Sequence, residues 1–584
     1  MISNFNKRPR VQVTGSTDDC YAGWSEIFDK LTIELDSTNG INKTIVVDCY
    51  QGVYFDELLN KFKNNIQFSR VITSDDYFLP SDIIQRLTYP DVTDDRIFGF
   101  LTRLNMIDFI DREKLQWLRE KIETSSNGIT LVFGYGASLL VDNPTILVYA
   151  DMPRWEIQLR MRNNLVDNLG IQNRDESIEA KYKRGYFVDW RVCDRHKKSL
   201  RRKCKYILDS TKMESPVMIT AELFNKGLEQ AVSQPFSLVP YFDQGPWGGQ
   251  WLKEVCDLER NAENYAWCFN CVPEENSLLF SFGKVEFETP SINLVFAYPQ
   301  KLLGEAVHAR FGDEFPIRFD YLDTMDGGNL SLQVHPLTEY IQENFGIHYT
   351  QDESYYLMDA SDNACVYLGL KEGIDPDSMI NDLLKAEMDG VHFDAERYVK
   401  RWPAKKHDHF LIPAGTVHCS GKNCLVLEIS STPYIFTFKL WDWDRLGLDG
   451  KPRPINIEHG RRVIQWDRTT NWTKSNLINR VRKIAEGDGW VEEATGLHER
   501  EFIETRRHWF SKKVTHHTNG GVNVLNLVEG REAIVESPCN AFEPFVVHYA
   551  ETFIVPANVK EYTIRPYGES DGKQCATIKA YVRT

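Results

Sequence analysis

Cysteine is scarce in this sequence, and so are long apolar runs. Twelve cysteines are scattered over 584 positions, too few and too irregular for a disulfide framework. The single CxxC, Cys268 to Cys271, has no second pair to complete a zinc site, so we interpret it as two buried structural thiols. No stretch reaches the roughly eighteen apolar residues of a membrane helix, and Met1 to Gly15 carries no apolar signal-peptide core. These absences predict a reduced, cytoplasmic protein with no membrane partner.

Positive charge is also in deficit. Lys plus Arg number 68 against 84 Asp plus Glu, which gives a formal net charge of −16. A surface for nucleic acid or another polyanion is therefore not expected to dominate the molecule. Hydrophobic residues at 42% and charged residues at 26% are close to the averages for globular proteins, which argues against a disordered chain or a coiled coil. At about 150 residues per domain, the length predicts three or four domains.

The first part of the chain has the pattern of an α/β layer domain. Short apolar runs at Thr44–Asp48, Ile129–Phe133 and Thr145–Tyr149 predict buried parallel strands. Between them, Asp111–Ile122 places its leucines and isoleucine at helical spacing with charges on the other face. Alternating strands and helices are typical of a sheet covered by helices, and we predict this domain over 1–235.

After Pro246 the pattern changes to short β runs separated by Gly, Asn, Asp and Pro, which is typical of an all-β barrel or sandwich. The runs include Ser331–His335, His409–Pro413, Cys424–Ile429, Tyr434–Phe438 and the β-rich stretch Phe510–Val582. A helical insertion over about 373–402 begins at Asp375, which precedes a proline suited to a helix start. We predict a first barrel over 236–460, and a linking helix with a second barrel over 461–584.

Four residues of the β half raise the question of a metal. Gln333 and His335 are two apart on a predicted strand, so both side chains point to one face. Glu353 lies in another β-prone run, and His418 ends a Pro-Ala-Gly-Thr-Val-His turn that could present the imidazole inward. Two imidazoles, a carboxylate and an amide oxygen suit a divalent ion such as zinc. Any one of these residues alone is more often a core or surface residue than a ligand.

Two polar segments are interpreted as solvated surface. His407 and His409 share a face but lie in a lysine-rich stretch, KKHDH, so we predict a solvated loop. The basic run over 195–203 could bind an anion, although a solvated helix face explains it more simply.

The second part of the chain contains several motifs in the order in which a known protein family carries them. From residue 245 to 584 the sequence resembles class I mannose-6-phosphate isomerases of the short bacterial type, which are zinc-dependent cupin enzymes. The matching segments are Gly245–Gly249, Phe315–Pro316, Leu330–Pro336, Glu353–Tyr356, Gly369–Gly373, Ile412–His418, Leu427–Ser431, Trp441–Trp443 and Asp449–Arg453. The resemblance implies two cupin-type barrels and an aldose–ketose isomerase acting on a small sugar phosphate.

The resemblance also implies roles for individual residues. One Zn²⁺ per chain would be held by Gln333, His335, Glu353 and His418. Glu428 matches a carboxylate that faces the family's pocket, and we predict it as the proton shuttle; the alternative is a salt bridge at the barrel edge. The other candidates are Lys439 and Arg445 as further catalytic residues, and Ser331, Trp247 and Arg318 as substrate contacts.

Three pocket positions depart from the family pattern. Asp320 and Gln351 stand where the family carries lysines, and Lys439 stands where it carries an arginine. The loss of two cations and the replacement of a guanidinium by an ammonium should weaken the binding of a phosphate dianion. Three possibilities are compatible with these altered positions: a different sugar, a neutral or differently placed substrate, or a protein that has lost its catalytic activity.

Residues 41–212 resemble P-loop nucleoside and uridine kinases. The segments that carry the likeness are the first strand TIVVD, Thr73–Phe78, and Asp151–Arg154 followed by Arg160 and Arg162. A phosphate cradle needs glycine N–H groups, a lysine and a hydroxyl. Between Asp48 and Leu59 there is one glycine and no lysine, and Tyr54 and Phe55 fall where Lys and Ser/Thr belong. The expectation is a degenerate P-loop fold without kinase activity.

The leading hypothesis is therefore a multidomain α/β plus β protein that acts as a zinc-dependent sugar isomerase, most simply on mannose 6-phosphate. Two rivals remain. One is a bifunctional sugar kinase–isomerase, and the other is a metal-containing sugar-binding or regulatory protein without turnover.

Overall fold

The computed structural model describes residues 3–14, 18–40, 42–124, 127–433, 435–446, 455–496 and 501–584. The motif Asp449–Arg453 and the residue Tyr434 lie outside these ranges. Within them, no helix combines the length and the apolar character needed to cross a membrane.

The N-terminal region forms an α/β layer. The strands of this region are β1 Val11–Gln12, β2 Cys20–Ala22, β3 Asn42–Cys49, β4 Arg70–Thr73, β5 Gly128–Gly134, β6 Ile146–Asp151, β7 Tyr206–Asp209 and β8 Val217–Thr220. Of these, the short β1 belongs to a different sheet. The helices are α1 Gly23–Ser37, α2 Phe55–Asn65, α3 Ser74–Tyr77, α4 Ser81–Val92, α5 Arg112–Glu123, α6 Arg154–Arg162, α7 Ile178–Arg184, α8 Trp190–Leu200 and α9 Ala221–Ala231.

The sheet of this layer runs in the order β2-β8-β7-β6-β3-β5-β4, and the strands from β7 to β4 are parallel. The three predicted parallel strands are confirmed as β3, β5 and β6. The predicted helix is confirmed as α5, where Asp111 accepts hydrogen bonds from the N–H groups of Glu113 and Lys114. The connection from β3 leads to β4 on one side of it, and the connection from its neighbour β6 leads to β7 on the other, so a topological switch point lies at the carboxyl ends of β3 and β6.

The first barrel follows and contains most of the candidate site. Its strands, with the hairpin β11–β12, are β9 Tyr241–Asp243, β10 Trp267–Cys271, β11 Ser277–Phe282, β12 Val285–Pro290, β13 Ile317–Asp323, β14 Leu332–Val334, β15 Glu353–Ala360, β16 Cys365–Leu370, β17 Val399–Pro403, β18 His409–Ile412, β19 His418–Ser420, β20 Cys424–Ser431 and β21 Phe438–Trp441. The helices of this part are α10 Trp251–Val255, α11 Ile292–Ala297, α12 Pro299–Leu303, α13 Glu305–Phe311, α14 Thr338–Phe345, α15 Pro376–Asp389, α16 Ala395–Tyr398, α17 Ile457–Val463 and α18 Thr470–Asn476.

Two sheets face each other in this barrel, in the orders β18-β15-β20-β13-β10-β9 and β17-β16-β19-β14-β21. The predicted helical insertion is present as α15 and α16, and Asp375 caps α15 by accepting from the N–H of Ser378. The predicted strand Tyr434–Phe438 is wrong in its bounds, because β21 begins only at Phe438. Before it, the backbone turns and Phe436 is buried among aromatic rings.

A second two-sheet unit ends the chain. Its strands are β22 Arg482–Gly487, β23 Trp490–Gly496, β24 Ile503–Phe510, β25 Val514–His517, β26 Asn523–Glu529, β27 Glu532–Glu536, β28 Phe545–His548, β29 Thr552–Val555, β30 Glu561–Pro566 and β31 Cys575–Val582. The sheets run β22-β23-β24-β31-β26-β29 and β25-β30-β27-β28. This unit has an apolar core of its own around Phe510, Leu525 and Phe553. One larger core runs continuously through the α/β layer and the first barrel.

The first described residues of the chain pair outside the sheet of the α/β layer. Strand β1 pairs in parallel with β11, which places Val11 beside Phe280. The N–H of Asn6 donates to the carboxylate of Glu551, 545 residues later. The predicted domain boundaries near 235 and 460 stay predictions.

Both predictions of solvated polar segments are wrong for part of each segment. His409 is fully buried on β18 against Gly496 of the second unit, and this burial lowers its pKa to about 3. The basic run lies on and just after α8, where Lys197 contacts the carboxylate of Asp151 at 3.1 Å. In both places, the residues that contact the buried side chain come from elements that are distant in sequence.

Candidate functional site

Three predicted ligands converge inside the first barrel. The ligand atoms of His335, Glu353 and His418 all lie within 4.8 Å of one another, and all three side chains are buried. The Nε2 atom of His335 is 3.0 Å from Glu353 Oε2, and the Nε2 atom of His418 is 2.9 Å from Glu353 Oε1. Both imidazoles therefore face one carboxylate.

The local sequence explains this convergence. Glu353 begins β15 in one sheet, whereas His335 and His418 belong to the segments around β14 and β19 in the facing sheet. The turn before His418 contains Gly415, whose φ of +87° favours glycine. The N–H of Gly415 donates to the carbonyl of His335 at 2.9 Å, so this turn joins the two histidine segments directly.

The outer nitrogens of both imidazoles are fixed by the backbone. The Nδ1 atom of His335 is 3.0 Å from the carbonyl oxygen of Phe436, and the Nδ1 atom of His418 is 2.8 Å from that of Thr416. A carbonyl only accepts, so each Nδ1 carries a proton, and in the neutral form of each ring the lone pair lies on Nε2. His335 Nε2 and Glu353 Oε1 are buried without a hydrogen-bond partner, as expected of metal ligands. These residues fit a divalent ion.

The charge state of the carboxylate also suits a metal. Burial alone would raise the pKa of Glu353, but the positive charge of the two facing imidazoles in their protonated form outweighs it and holds the pKa well below its usual range. Gln351 donates to Glu353 Oε2 at 3.3 Å. Gln333 is paired with His418 across the strands, and its Nε2 is 3.3 Å from His418 Nε2. A half-turn of the Gln333 amide would present its oxygen at this point.

Beside this group, one guanidinium joins two buried carboxyls. Arg318 Nε donates to Asp320 at 2.9 Å, and its Nη2 donates to Glu428 Oε1 at 2.7 Å. Ser430 also donates to Glu428 Oε1, at 2.9 Å. The strand register pairs Asp320 with Glu428, and Glu428 in turn with Tyr355. All these side chains therefore share the inner face that also carries Glu353.

Burial changes the acidity of both carboxyls. It raises the pKa of Asp320, and it raises the pKa of Glu428 well above its usual range, although Arg318 opposes the shift in each case. One guanidinium faces two carboxyls, so burial favours the protonated form of one of them. Glu428 is thus a buried carboxyl able to hold a proton, the property expected of a general acid–base group.

A third cluster lies along β14 from the metal ligands. Ser331 donates to Asp442 Oδ1 at 2.6 Å, and Arg445 Nη2 donates to the same oxygen at 2.7 Å. Ser331 precedes Gln333 by two residues, a distance of about 7 Å at the usual rise of a strand. Lys439 is half-buried and pairs with Gln333 across the strands. Trp247 is 1% exposed and packs edge-on against Trp267 with ring centres 4.7 Å apart, so its ring is enclosed by protein.

Sequence reasoning missed several groups around the site. Ser430 follows Glu428 by two residues, and the alternation of a strand would have placed it on the same face. Tyr355 follows Glu353 in the same way, and its ring is 5.8 Å from that of His418. The carbonyl of Phe436, which orients His335, has no signal in the sequence.

In the α/β layer, the loop after β3 is filled by protein groups. A Cβ on Gly52 would lie 2.7 Å from Ile157 of α6. Arg160 donates to the carbonyl of Gly52 at 2.9 Å, and its guanidinium lies 3.7 Å from the centre of the Tyr54 ring. The amide of Gln51 accepts from Trp190 and donates to a backbone carbonyl. Arg160 is therefore engaged by the loop itself.

A large cleft opens next to this loop. It has a volume of about 1310 Å³. Its charged lining residues are Asp56, Glu57, Asp75, Lys114, Asp167, Arg174, Asp175 and Glu176. Six acidic against two basic side chains give this cleft a negative character, which repels phosphate groups.

Comparisons with known proteins give different results for the two parts of the chain. Residues 23–233 match the family described as "Domain of unknown function (DUF8485)". Mannose-6-phosphate isomerase ManA of Bacillus subtilis is 27% identical over 238 residues, which cover 40% of this chain and 69% of that protein. Mannose-6-phosphate isomerase of Streptococcus mutans serotype c is 23% identical over 248 residues, 42% of this chain and 72% of that protein. Among solved structures, the mannose 6-phosphate isomerase from Bacillus subtilis aligns with 60% of this chain and 100% of its own, at 19% identity and a TM-score of 0.48.

Proposed function

We propose that this chain is a metal-dependent aldose–ketose isomerase that interconverts mannose 6-phosphate and fructose 6-phosphate or a closely related pair. The observation that carries the proposal is the buried group of His335, Glu353 and His418, with both Nδ1 atoms held on carbonyls and the Arg318–Glu428 pair beside it. The relatives named as mannose-6-phosphate isomerases support the choice of substrate class.

The metal ligands in this proposal are the two imidazoles, the carboxylate of Glu353 and the amide oxygen of Gln333. This donor set suits Zn²⁺. A bound ion would supply a Lewis acid that stabilises negative charge on the substrate oxygens during enediol formation. The backbone bonds at Nδ1 favour the neutral tautomer of His335 and His418 in which Nε2 can bind a metal.

Proton transfer between C1 and C2 is assigned to Glu428. Its Oε1 accepts from Arg318 and Ser430, which leaves the proton on Oε2. A raised pKa makes the carboxylate a stronger base than an exposed glutamate, and it makes the carboxylic acid able to return the proton. Arg318 and Asp320 hold Glu428 in place, and in this proposal Arg318 acts on the substrate only through Glu428.

The phosphate end of the substrate is assigned to the Ser331–Asp442–Arg445 cluster and to Lys439. Lys439 pairs with Gln333 of β14 in the strand register, and Arg445 shares the Asp442 carboxylate with Ser331. The separation of about 7 Å between Ser331 and Gln333 is comparable to the length of a hexose, so one substrate could reach both clusters. Trp247, whose ring is enclosed by protein, is then assigned no contact with the sugar.

The test is turnover of mannose 6-phosphate to fructose 6-phosphate by full-length protein loaded with Zn²⁺. The proposal expects activity that a chelator removes and that added Zn²⁺ restores. His335→Asn should abolish both zinc binding and turnover. His407→Asn, a histidine bound to Glu529 outside the site, is the matched control and should change neither. Zinc-loaded protein that converts no phosphorylated or free aldose would overturn the proposal.

A second candidate function is sugar binding without turnover. It is supported by the pocket positions at which this chain lacks the cations of the family. Asp320 replaces a family lysine and engages Arg318, and Gln351 replaces another and donates to Glu353. Both changes remove positive charge from the pocket. A ligand-induced rise in melting temperature without product formation would favour this candidate. The variant Gln351→Lys with Lys439→Arg would then test whether the missing cations account for the lost activity.

The kinase–isomerase rival has little support from the geometry. Ile157, Arg160 and Tyr54 fill the region where a nucleotide phosphate would need backbone N–H groups, and the neighbouring cleft is acidic. We therefore assign no phosphoryl transfer to the α/β layer. Titration calorimetry with magnesium-ATP should give no binding heat.

A further inference from the structure

The α/β layer reaches the metal ligand His335 through one aromatic side chain. Phe98, in the loop after α4, is 1% exposed and stacks on Phe436 with ring centres 5.6 Å apart. Phe436 is the residue whose carbonyl oxygen lies 3.0 Å from His335 Nδ1. A residue of the first 235 positions is therefore two contacts away from the candidate metal.

The position of Phe436 depends on this packing. Residues 435–437 precede β21, so they lie outside the strand ladders assigned to this part of the chain. The ring of Phe436 is instead held by Phe98, by Phe345 at 5.0 Å and by Phe187 at 6.0 Å. Two of these three rings, those of Phe98 and Phe187, come from the α/β layer. Removing one of them would let the Phe436 carbonyl shift.

Asp95 fixes the loop that presents Phe98. Its Oδ1 accepts from the N–H groups of Ile97 and Phe98, each at 2.7 Å. Its Oδ2 is 3.0 Å from Nε2 of His459 on α17, and His459 Nδ1 is 2.7 Å from the hydroxyl of Tyr340. Burial opposes ionisation of Asp95, but these hydrogen bonds lower its pKa to about 2. The loop is thus bound to the first barrel by an ionised, part-buried contact.

The same loop is tied back to its own domain. Lys183 of α7 is buried and donates to the carbonyl of Thr93 at 3.1 Å. The side chain of Thr93 donates to the carbonyl of Phe98 at 3.2 Å. The loop is therefore held from both sides, and its position relative to the first barrel is set by the α/β layer.

We propose that Phe98 is a positioning residue for the metal centre: through Phe436 it sets the backbone carbonyl that orients His335, so the α/β layer is a structural part of that centre. This inference rests on the metal site of the proposed function, but it does not depend on turnover. It gives the N-terminal region a role that requires no ligand of its own. Outer groups that orient a metal ligand typically change metal affinity by about 10- to 100-fold when removed.

The experiment compares zinc affinity in full-length variants by competition with a chromophoric chelator. Phe98→Ala should weaken zinc binding by about tenfold or more. Phe98→Leu keeps an apolar side chain and should recover most of the affinity. The matched control is Phe224→Ala, which removes an equal ring from another contact between the two regions, where Phe224 packs on Phe280 and Phe287 at 6.2 and 6.0 Å. The control should bind zinc like the wild type.

A second readout separates positioning from general destabilisation. With Co²⁺ in place of zinc, the visible spectrum reports ligand geometry, and Phe98→Ala should change it while Phe224→Ala should not. If Phe98→Ala does not fold, Asp95→Asn releases the same loop with a milder change and should shift affinity and spectrum in the same direction.

Equal zinc affinity in wild type and Phe98→Ala, or equal weakening in Phe98→Ala and Phe224→Ala, would overturn the inference. Wild-type protein that binds zinc but isomerises no sugar would overturn the proposed function alone. The two failures are therefore distinguishable in one set of samples.

Discussion

Replacing Glu428 by glutamine separates proton transfer from structure at the candidate site. Glutamine keeps the shape of the side chain and an oxygen at the position of Oε1, which accepts from Arg318 and Ser430. Burial raises the pKa of Glu428 well above its usual range and so favours the uncharged acid over the carboxylate. Glutamine matches that form in charge, while Arg318 keeps Asp320 as its ionic partner.

The expected magnitudes follow from this comparison. The folded state loses at most one neutral hydrogen bond, so the free energy of unfolding should change by no more than about 1 kcal/mol. Loss of a positioned acid–base group typically lowers kcat by about 10²- to 10⁴-fold. That corresponds to roughly 3 to 5 kcal/mol in the activation barrier. Zinc content and KM should stay close to the wild-type values, because Glu428 is not among the proposed ligands.

The assay is steady-state formation of fructose 6-phosphate by zinc-loaded wild type, Glu428→Gln and a control variant. Glu274→Gln is the control, because Glu274 is another fully buried carboxyl, with its pKa raised to about 7 chiefly by burial, outside the candidate site. It should retain wild-type kcat. The reasoning is refuted if Glu428→Gln keeps more than about a tenth of the wild-type kcat, or if it loses its zinc.

Further predictions concern metal, charge and pH. Zinc at 100 times its dissociation constant should stabilise the wild type by about 2.7 kcal/mol, and Glu353→Gln should lose this zinc-dependent rise in melting temperature. Arg318→Met should destabilise the first barrel by roughly 3 to 5 kcal/mol in urea unfolding, because it leaves a buried carboxylate unpaired, and adding Asp320→Asn with Glu428→Gln should recover most of that loss. The buried His508 has its pKa lowered to about 4, so the unfolded chain takes up this proton first as the pH falls. His508 alone should therefore contribute a decrease in stability of about 3 kcal/mol between pH 6.5 and pH 4, and His508→Gln should remove that contribution from the fall in melting temperature with pH.

The parts of the fold that follow local periodicity were predictable. Strands β3, β5 and β6 are apolar runs buried on both faces, and such runs have few alternatives to a central parallel strand. The three groups around Glu353 were predictable for a related reason. Alternation puts Gln333 and His335 on one face, and the turn before His418 needs the glycine it contains. Local rules therefore account for the placement of these three side chains.

What the sequence could not supply is the pairing of distant strands. Arg318 and Glu428 are 110 residues apart, and only the register of β13 against β20 brings them together. The same limit explains the two errors over polar segments. His409 is enclosed by Gly496, and Lys197 is neutralised by Asp151, so each charge or ring acquires its surroundings from another element. From their composition alone, those segments cannot be told apart from solvent-exposed surface.

The link between Asn6 and Glu551 bears on the order of events during synthesis. Ribosomes add about 5 to 20 residues per second, and domains usually fold as they emerge. The partner of Asn6 is made 545 residues later, which is roughly half a minute to two minutes. Strand β1 likewise cannot pair until β11 has been synthesised. The α/β layer must therefore fold and persist while its leading segment stays unpaired in the cell, and chaperones or proteases would meet that segment before the barrels cover it.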